Sequence, residues 1–220
     1  MRPMAGFDLE ATGRDPLTDR IVSAALCRTD APVRSWLIDP GVPVPDAATA
    51  VHGITTDLVR AAGRHPAVAL AEIAFVLDGL AADGVPLVVY NAVYDLTLLD
   101  RELRRHDLPP VRDDLVVIDP FVIDRHSDPR REGRRTLTDV CAHYGVVLIQ
   151  AHTADADARA AVEVARALAF RYPKLGALSL PKLHSSQRKW HRQHAREARA
   201  FLRRRGIAEL VNAQWPRISG

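Results

Sequence analysis

A chain of 220 residues, 47% hydrophobic and 26% charged, can bury one sizeable core, which argues for a single globular domain with room for an appendage. Cys27 and Cys141 form no Cys-x-x-Cys pair or Cys/His cluster, which speaks against a disulfide framework or structural zinc; no apolar run approaches the roughly 20 residues of a membrane span and no signal-peptide core opens the chain, so no membrane contact and a cytoplasmic location are expected. The net charge of +3 conceals a division: from Arg171 onward 12 Lys and Arg face two acids, whereas 18 basic residues face 25 acidic ones before it. An acidic body is thus followed by a basic, polyanion-facing tail. All but three of the basic residues are Arg, so the position of the cluster says more than its chemistry.

The first expected element is a strand at Phe7-Asp8-Leu9-Glu10, whose period of two sends Asp8 and Glu10 to one face and Phe7 and Leu9 to the other. Ala11-Thr12-Gly13 is a turn, residues 21–27 form an apolar second strand, and residues 34–38 a third that stops at Asp39-Pro40-Gly41. Three strands on short links predict an antiparallel meander. A Pro-rich loop over 40–45 leads into short helices over 47–53 and 56–62, the latter capped by Thr56 or Asp57. Apolar residues at helical spacing from Val68 to Leu80 predict a helix over 66–82. Residues 86–90 (PLVVY) form a buried strand with Asn91 at its end, 93–106 a helix with Leu96, Leu99 and Leu103 on one side, and 115–118 another buried strand. Helices follow over 136–144, ended by Gly145, and over 153–170, rich in alanine; beyond Tyr172-Pro173 the stretch 185–205 is strongly helical. Strands first, then strands alternating with helices, indicate an α/β fold with a mixed sheet.

Two carboxylates on one strand face repel each other and are costly to desolvate, a penalty that a divalent cation removes; hard oxygen ligands suit magnesium or manganese. Alone, Asp8 and Glu10 equally describe a strand with one wet face. Asp95 lies in the first turn of a helix leaving a buried strand, where α/β folds collect their sites, and alone serves the helix dipole as well. His152 precedes the alanine-rich helix and Asp157 lies in its first turn; alone these are a loop residue and a dipole-compensating acid. Small alanines would let that helix approach the sheet closely and bring Asp157 to the first strand.

Taken together, Asp8-x-Glu10 with Thr12-Gly13, Asn91-x-x-x-Asp95 and His152-x-x-x-x-Asp157-Ala158 resemble the DEDDh 3′–5′ exonucleases, the DnaQ-like family that includes the proofreading subunit of bacterial replicative polymerase. Val51-His52-Gly53-Ile54-Thr55 is similar to a segment found between the first two motifs. The resemblance covers roughly residues 1–170, and the absence of Tyr between Gly145 and Asp157 favours the histidine branch. Ala11 stands where Thr is common, and Tyr90 where His is frequent.

The resemblance implies a ribonuclease H-like mixed sheet flanked by helices and an exonuclease domain over 1–171, while charge and helical pattern make 172–220 a basic helical C-terminal extension. It also implies two divalent cations, Mg2+ or Mn2+, about 3.5–4 Å apart, because hydrolysis of an anionic phosphodiester needs charge neutralised on the attacking and leaving oxygens. Asp8, Glu10 and Asp157 would hold the first, Asp8 bridging to the second, Asp95 acting on the second partly through water, and His152 taking the proton of the attacking water. Leu9, Glu10, Thr12, Ile54, Asn91 and His152 are the candidate substrate contacts, with Phe7, Leu9 and Ile54 as pocket wall around the terminal nucleotide. The expected substrate is single-stranded DNA or a frayed 3′ end, in proofreading or repair, with a polymerase as candidate partner. RNA ends or short oligonucleotides are the alternative within the class, since contacts to the 2′-hydroxyl make that choice. A non-catalytic nucleic-acid-binding or polymerase-associated module is the alternative of another class, against which the complete carboxylate set argues. The residues set no oligomeric state.

In the tail, Arg188, Arg192, Arg196, Arg199 and Arg203 fall on one narrow arc of a helix, with Trp190 and Phe201 opposite. Two readings stand: a helix docked through Trp190 and Phe201 with a solvated charged face, or a row, Arg192, Arg196 and Arg199 foremost, that follows the phosphates upstream of the cleaved end.

Overall fold

A computed structural model of the chain describes residues 2–208 and 211–218. The alternation in the first strand fixes the layering. β1 (Ala5–Ala11) pairs antiparallel with β2 (Ile21–Arg28), which pairs antiparallel with β3 (Arg34–Leu37), the expected meander. On its other side β1 runs parallel to β4 (Leu87–Val88), which is parallel to β5 (Val117–Ile118), so the sheet is mixed in the order β3-β2-β1-β4-β5. Phe7 and Leu9 enter a core shared with Leu70, Ile73 and Leu77 of α3 (Pro66–Asp83) and Leu99 and Leu103 of α4 (Ala92–Arg105). The opposite face of β1 presents Gly6, Asp8 and Glu10, and α7 (Ala154–Arg171) covers it. A Cβ added at Gly6 would lie 2.8 Å from the Ala158 carbonyl carbon and 2.9 Å from Val162 Cγ2, so only hydrogen fits beneath the helix. α5 (Pro120–Ser127) and α6 (Leu137–Tyr144) complete that layer around Val140, Val164 and Leu168.

Several boundaries differ from expectation. The strands expected over 86–90 and 115–118 keep only two residues each in the ladder before the chain turns into a helix. α5 was not expected, although Asp119-Pro120 carries a start signal: the Asp119 carboxylate accepts the Phe121 and Val122 amides, and Pro120 takes the first helical position. Ahead of α3 lie α1 (Asp46–His52) and α2 (Thr56–Ala62). The cap of α2 is Thr55, which accepts the Leu58 amide, and neither Thr56 nor Asp57; the Thr56 hydroxyl is taken by the Val44 backbone. A short α8 (Pro173–Gly176) precedes α9 (Leu180–Arg204), which begins five residues earlier than its helical pattern suggested.

α9 packs on α5 and β5 through the side expected, opposite the arginine arc, but with other residues than expected. Trp190 does face inward and stacks on His126 at 4.0 Å and 11°. Phe201 is 47% exposed, and the buried positions are instead Gln187, His194 and Ala195. The physical reason lies in β5: as an edge strand it has unpaired backbone groups, and a polar helix face can satisfy them where an apolar one cannot. Beyond α9, Trp215 is buried in the core beside α4. No helix among the described residues is long and apolar enough to cross a membrane.

Candidate active site

Because Gly6 lets α7 descend onto β1, the first turn of α7 meets the acidic face of the strand. Carboxylate oxygens of Asp8, Glu10 and Asp157 lie within 4.8 Å of one another. Asp157 Oδ2 accepts the His152 backbone N–H at 3.2 Å, while its Oδ1 is buried with no hydrogen-bond partner among the described residues. Burial, followed by the charges of Asp95, Asp157 and Glu10, holds the Asp8 carboxyl well above the ordinary carboxylate range. Burial and the Asp157 charge push Glu10 up to about 8. Burial likewise raises Asp157, against the pull of the His152 amide and ring. Such a group either takes up protons or shares a cation, and an all-oxygen donor set with one buried oxygen left partnerless fits a divalent metal.

Asp95, in the first turn of α4, stands beside this trio. Its Oδ1 accepts the Leu9 amide at 3.1 Å across the strand end, and burial outweighs that bond in raising its carboxyl well above the ordinary range. Asn91 adopts a left-handed conformation, φ 63°, as the chain leaves β4 for α4, and its side chain is at an exposed position. The Tyr94 hydroxyl donates to the Gly13 carbonyl at 2.5 Å and binds the head of α4 to the loop after β1. Thr12 is buried within that loop, donating to Asp19 Oδ1 and accepting the Arg20 amide, so its hydroxyl braces the turn. Phe7 is fully buried and Leu9 nearly so, both on the core face, which corrects their expected place in the pocket wall. The Leu9 amide, too, is occupied, by Asp95.

His152 is exposed on the loop before α7, with φ 69°. It lines a cavity of about 400 Å3 with Glu10, His52, Ile54, Asp155 and Arg159. His52 is a residue the motifs left unassigned. The Ile54 amide donates to its Nδ1 at 3.1 Å, so Nε2 carries the proton and donates to the Ala11 carbonyl at 3.2 Å. Burial, opposed by that carbonyl, keeps His52 below the ordinary imidazole range, which suits this neutral tautomer. The pair of bonds ties Ile54 to the end of β1. Gly6 and Tyr94 were also unassigned; Gly6 could have been found as the residue two before Asp8 on the same strand face. In the tail, Arg192 and Arg196 are exposed, but the Arg199 guanidinium donates to the Val211 carbonyl at 3.0 and 2.7 Å. Arg188 and Arg192 line a separate cavity of about 330 Å3 that includes Leu96, Asp100 and Trp215 and none of the four carboxylates.

A mixed sheet of this order, with carboxylates gathered at the end of its central strand, is that of a ribonuclease H-like nuclease. The RNase T exonuclease family model matches residues 5–165, and the chain belongs to that family, with the DnaQ-like 3′–5′ exonucleases. It is 31% identical over 158 residues, 70% of its length, to the PolC-type DNA polymerase III of Lacticaseibacillus paracasei, of which that stretch is 10%. It is 40% identical over 103 residues, 44% of its length, to a DNA polymerase III subunit epsilon-like protein of Rhodobacter capsulatus, of which that is 14%. The chain therefore spans only a small part of these curated relatives. Among solved structures, Escherichia coli exonuclease I in complex with a dT13 oligonucleotide superposes with a TM-score of 0.67 at 23% identity, covering 80% of this chain and 42% of that one. Exonuclease I of Methylocaldum szegediense gives 0.65 at 23%, over 92% and 46%. At that identity the likeness is one of fold.

Proposed function

We propose that the chain shortens single-stranded DNA, or frayed duplex ends, from the 3′ terminus by hydrolysis that depends on two divalent cations, Mg2+ or Mn2+. The observation that carries this reading is the convergence of Asp8, Glu10 and Asp157 with one buried, partnerless oxygen. When bound, the cations would supply charge neutralisation at the scissile phosphate and stabilise the attacking and leaving oxygens. Asp8, Glu10 and Asp157 would hold one ion, and Asp8 and Asp95 would serve the other. His152, at the cavity and bonded through its backbone to Asp157, accepts the proton of the attacking water. Ile54, fixed by His52, and Asn91, at an exposed position at the head of α4, border the terminal nucleotide. Residues 1–171 carry this chemistry, while Arg192 and Arg196, with Arg199 less available, contact phosphates upstream.

DNA is favoured over RNA because the named relatives are DNA polymerase III proteins and the superposed exonuclease I holds a DNA oligonucleotide. A replicative polymerase is accordingly the first partner to test. The test uses 5′-labelled oligonucleotides of one sequence as single-stranded DNA, duplex DNA with a 3′ mismatch, and RNA, with Mg2+ or Mn2+ and with chelator. A ladder of 3′-shortened DNA that chelator abolishes is expected. Faster shortening of RNA would move the reading to a ribo-exonuclease, and binding without shortening would sink it.

A further inference from the structure

We propose that the C-terminal segment positions Asp95, through a hydrogen-bonded chain that runs from Gln187 and Trp215 to Asp119 and on to the head of α4. This deepens the reading above, since Asp95 is there assigned to a cation. Asp119 follows β5 and has no exposed surface. Among the described residues, five N–H groups donate to its carboxylate: Asn91 and Ala92 at 3.0 Å each, Phe121 and Val122 at 3.1 and 3.4 Å, and the Trp215 indole at 3.1 Å. One carboxylate therefore joins the starts of α4 and α5 to the C-terminal segment. α9 holds the same residue from the other side. Gln187 accepts the Asp119 amide at 2.6 Å and donates to the Val117 carbonyl at 3.0 Å, and His184 Nδ1 accepts the Val117 amide at 3.0 Å. Two side chains of α9 thus stand in for a sixth strand along the free edge of β5. The Asn91 and Ala92 amides held by Asp119 open the helix whose first turn carries Asp95, and Asp95 in turn holds the Leu9 amide. Charge-assisted bonds of this kind are short-ranged and directional, so removing the indole N–H should release the head of α4 without emptying the core.

The test is amide hydrogen exchange on the metal-free full chain. Trp215→Phe and Gln187→Met keep most of the buried volume and remove the donors or acceptors. Trp215→Phe should speed exchange at Asn91, Ala92 and Leu9 about tenfold relative to the amides of α7, the scale of one lost bond to a charged group, and Gln187→Met, whose bonds are to backbone groups, about fivefold. Trp36→Phe is the control, because it deletes another indole bond to a carboxylate, Trp36 Nε1 to the exposed Glu72 at 3.1 Å, remote from this chain of contacts. Unchanged exchange at the three amides, or a rise shared equally by α7 or by the control, would overturn the proposal. On DNA, Trp215→Phe should raise the Mg2+ concentration for half-maximal rate about tenfold and leave the oligonucleotide KM within about twofold. A KM change with an unaltered Mg2+ requirement would count against the brace. The exchange result stands whether or not the chain cleaves DNA, so failure of the nuclease reading and failure of the brace are separable.

Discussion

Gly6→Ala is the substitution that tests most directly why the site forms. The new methyl would sit 2.8 Å from the Ala158 carbonyl carbon and 2.9 Å from Val162 Cγ2, and closer still to the carbonyl oxygen, where ordinary contacts begin near 3.4 Å. The two carbon contacts alone require α7 to retreat by about 0.5 Å, and the oxygen brings the retreat to roughly 1 Å, since packed interiors have little slack. Asp157 is the residue before Ala158, so it moves with the helix away from Asp8 and Glu10. Overpacking of this size costs about 1–3 kcal/mol, a melting-temperature fall of roughly 3–10 °C in a chain of this length, and leaves the fold intact by circular dichroism. Misplacing a ligand by ~1 Å should lower turnover about 100-fold, read as release of nucleotide from a labelled oligonucleotide. Adding Val162→Ala removes the Cγ2 contact and not the backbone one, so it should recover little. A Gly6→Ala protein with turnover within about twofold of the parent would refute the claim that close approach of α7 assembles the carboxylates.

Asp8→Ala and Asp157→Ala should each abolish hydrolysis with native circular dichroism; more than about a tenth of parental turnover, an effect of only ~1.4 kcal/mol, would show that the metal site is wrongly drawn. In chelator, stability should decline as pH rises from about 4.5 to about 8, because Glu10 is raised from 4.5 to about 8 in the folded chain and the folded state binds the extra proton throughout that window. Saturating Mg2+ should remove this decline and Glu10→Gln should make it shallower; a melting profile for Glu10→Gln as steep as the parent's would contradict the shift. His152→Ala should cut turnover by about 10²–10⁴-fold with Mn2+ affinity nearly unchanged, and a loss of Mn2+ binding instead would make His152 part of the metal site. Neutralising Arg192, Arg196 and Arg199 together should lower the salt dependence of binding to a long single strand by roughly 0.7 per lost phosphate contact. The contribution of Arg199 should be the smallest, given its bond to Val211; an unaltered slope would leave the row as a solvated helix face.

The sequence alone determined whatever rests on local periodicity and on donor chemistry. The period of two at Phe7-Asp8-Leu9-Glu10 assigned each side chain its face, the meander and the long helices followed from apolar spacing, and the three acidic motifs with His152 marked the family and the candidate ligands. It also left the clearest traces where a short-range signal exists, as in the stop at Gly145. What only the tertiary structure decided is which polar groups become buried against which. Thr12, a candidate substrate contact by motif, is consumed by Asp19 and Arg20 in its own loop. Gly6 is decisive only because α7 rests on it, a contact that no local pattern encodes. Amphipathic periodicity counts apolar residues and so marks the docking side of α9 by Trp190 and Phe201, whereas the surface it meets is an edge strand whose backbone groups demand Gln187 and His184. Asp119 carries no motif, yet it collects donors from α4, α5 and the C-terminal segment, which lie up to 96 residues from it along the chain. Hydrogen bonds act over about 3 Å in space and take no account of sequence separation, so such a hub is written in the chain but becomes legible only in the fold.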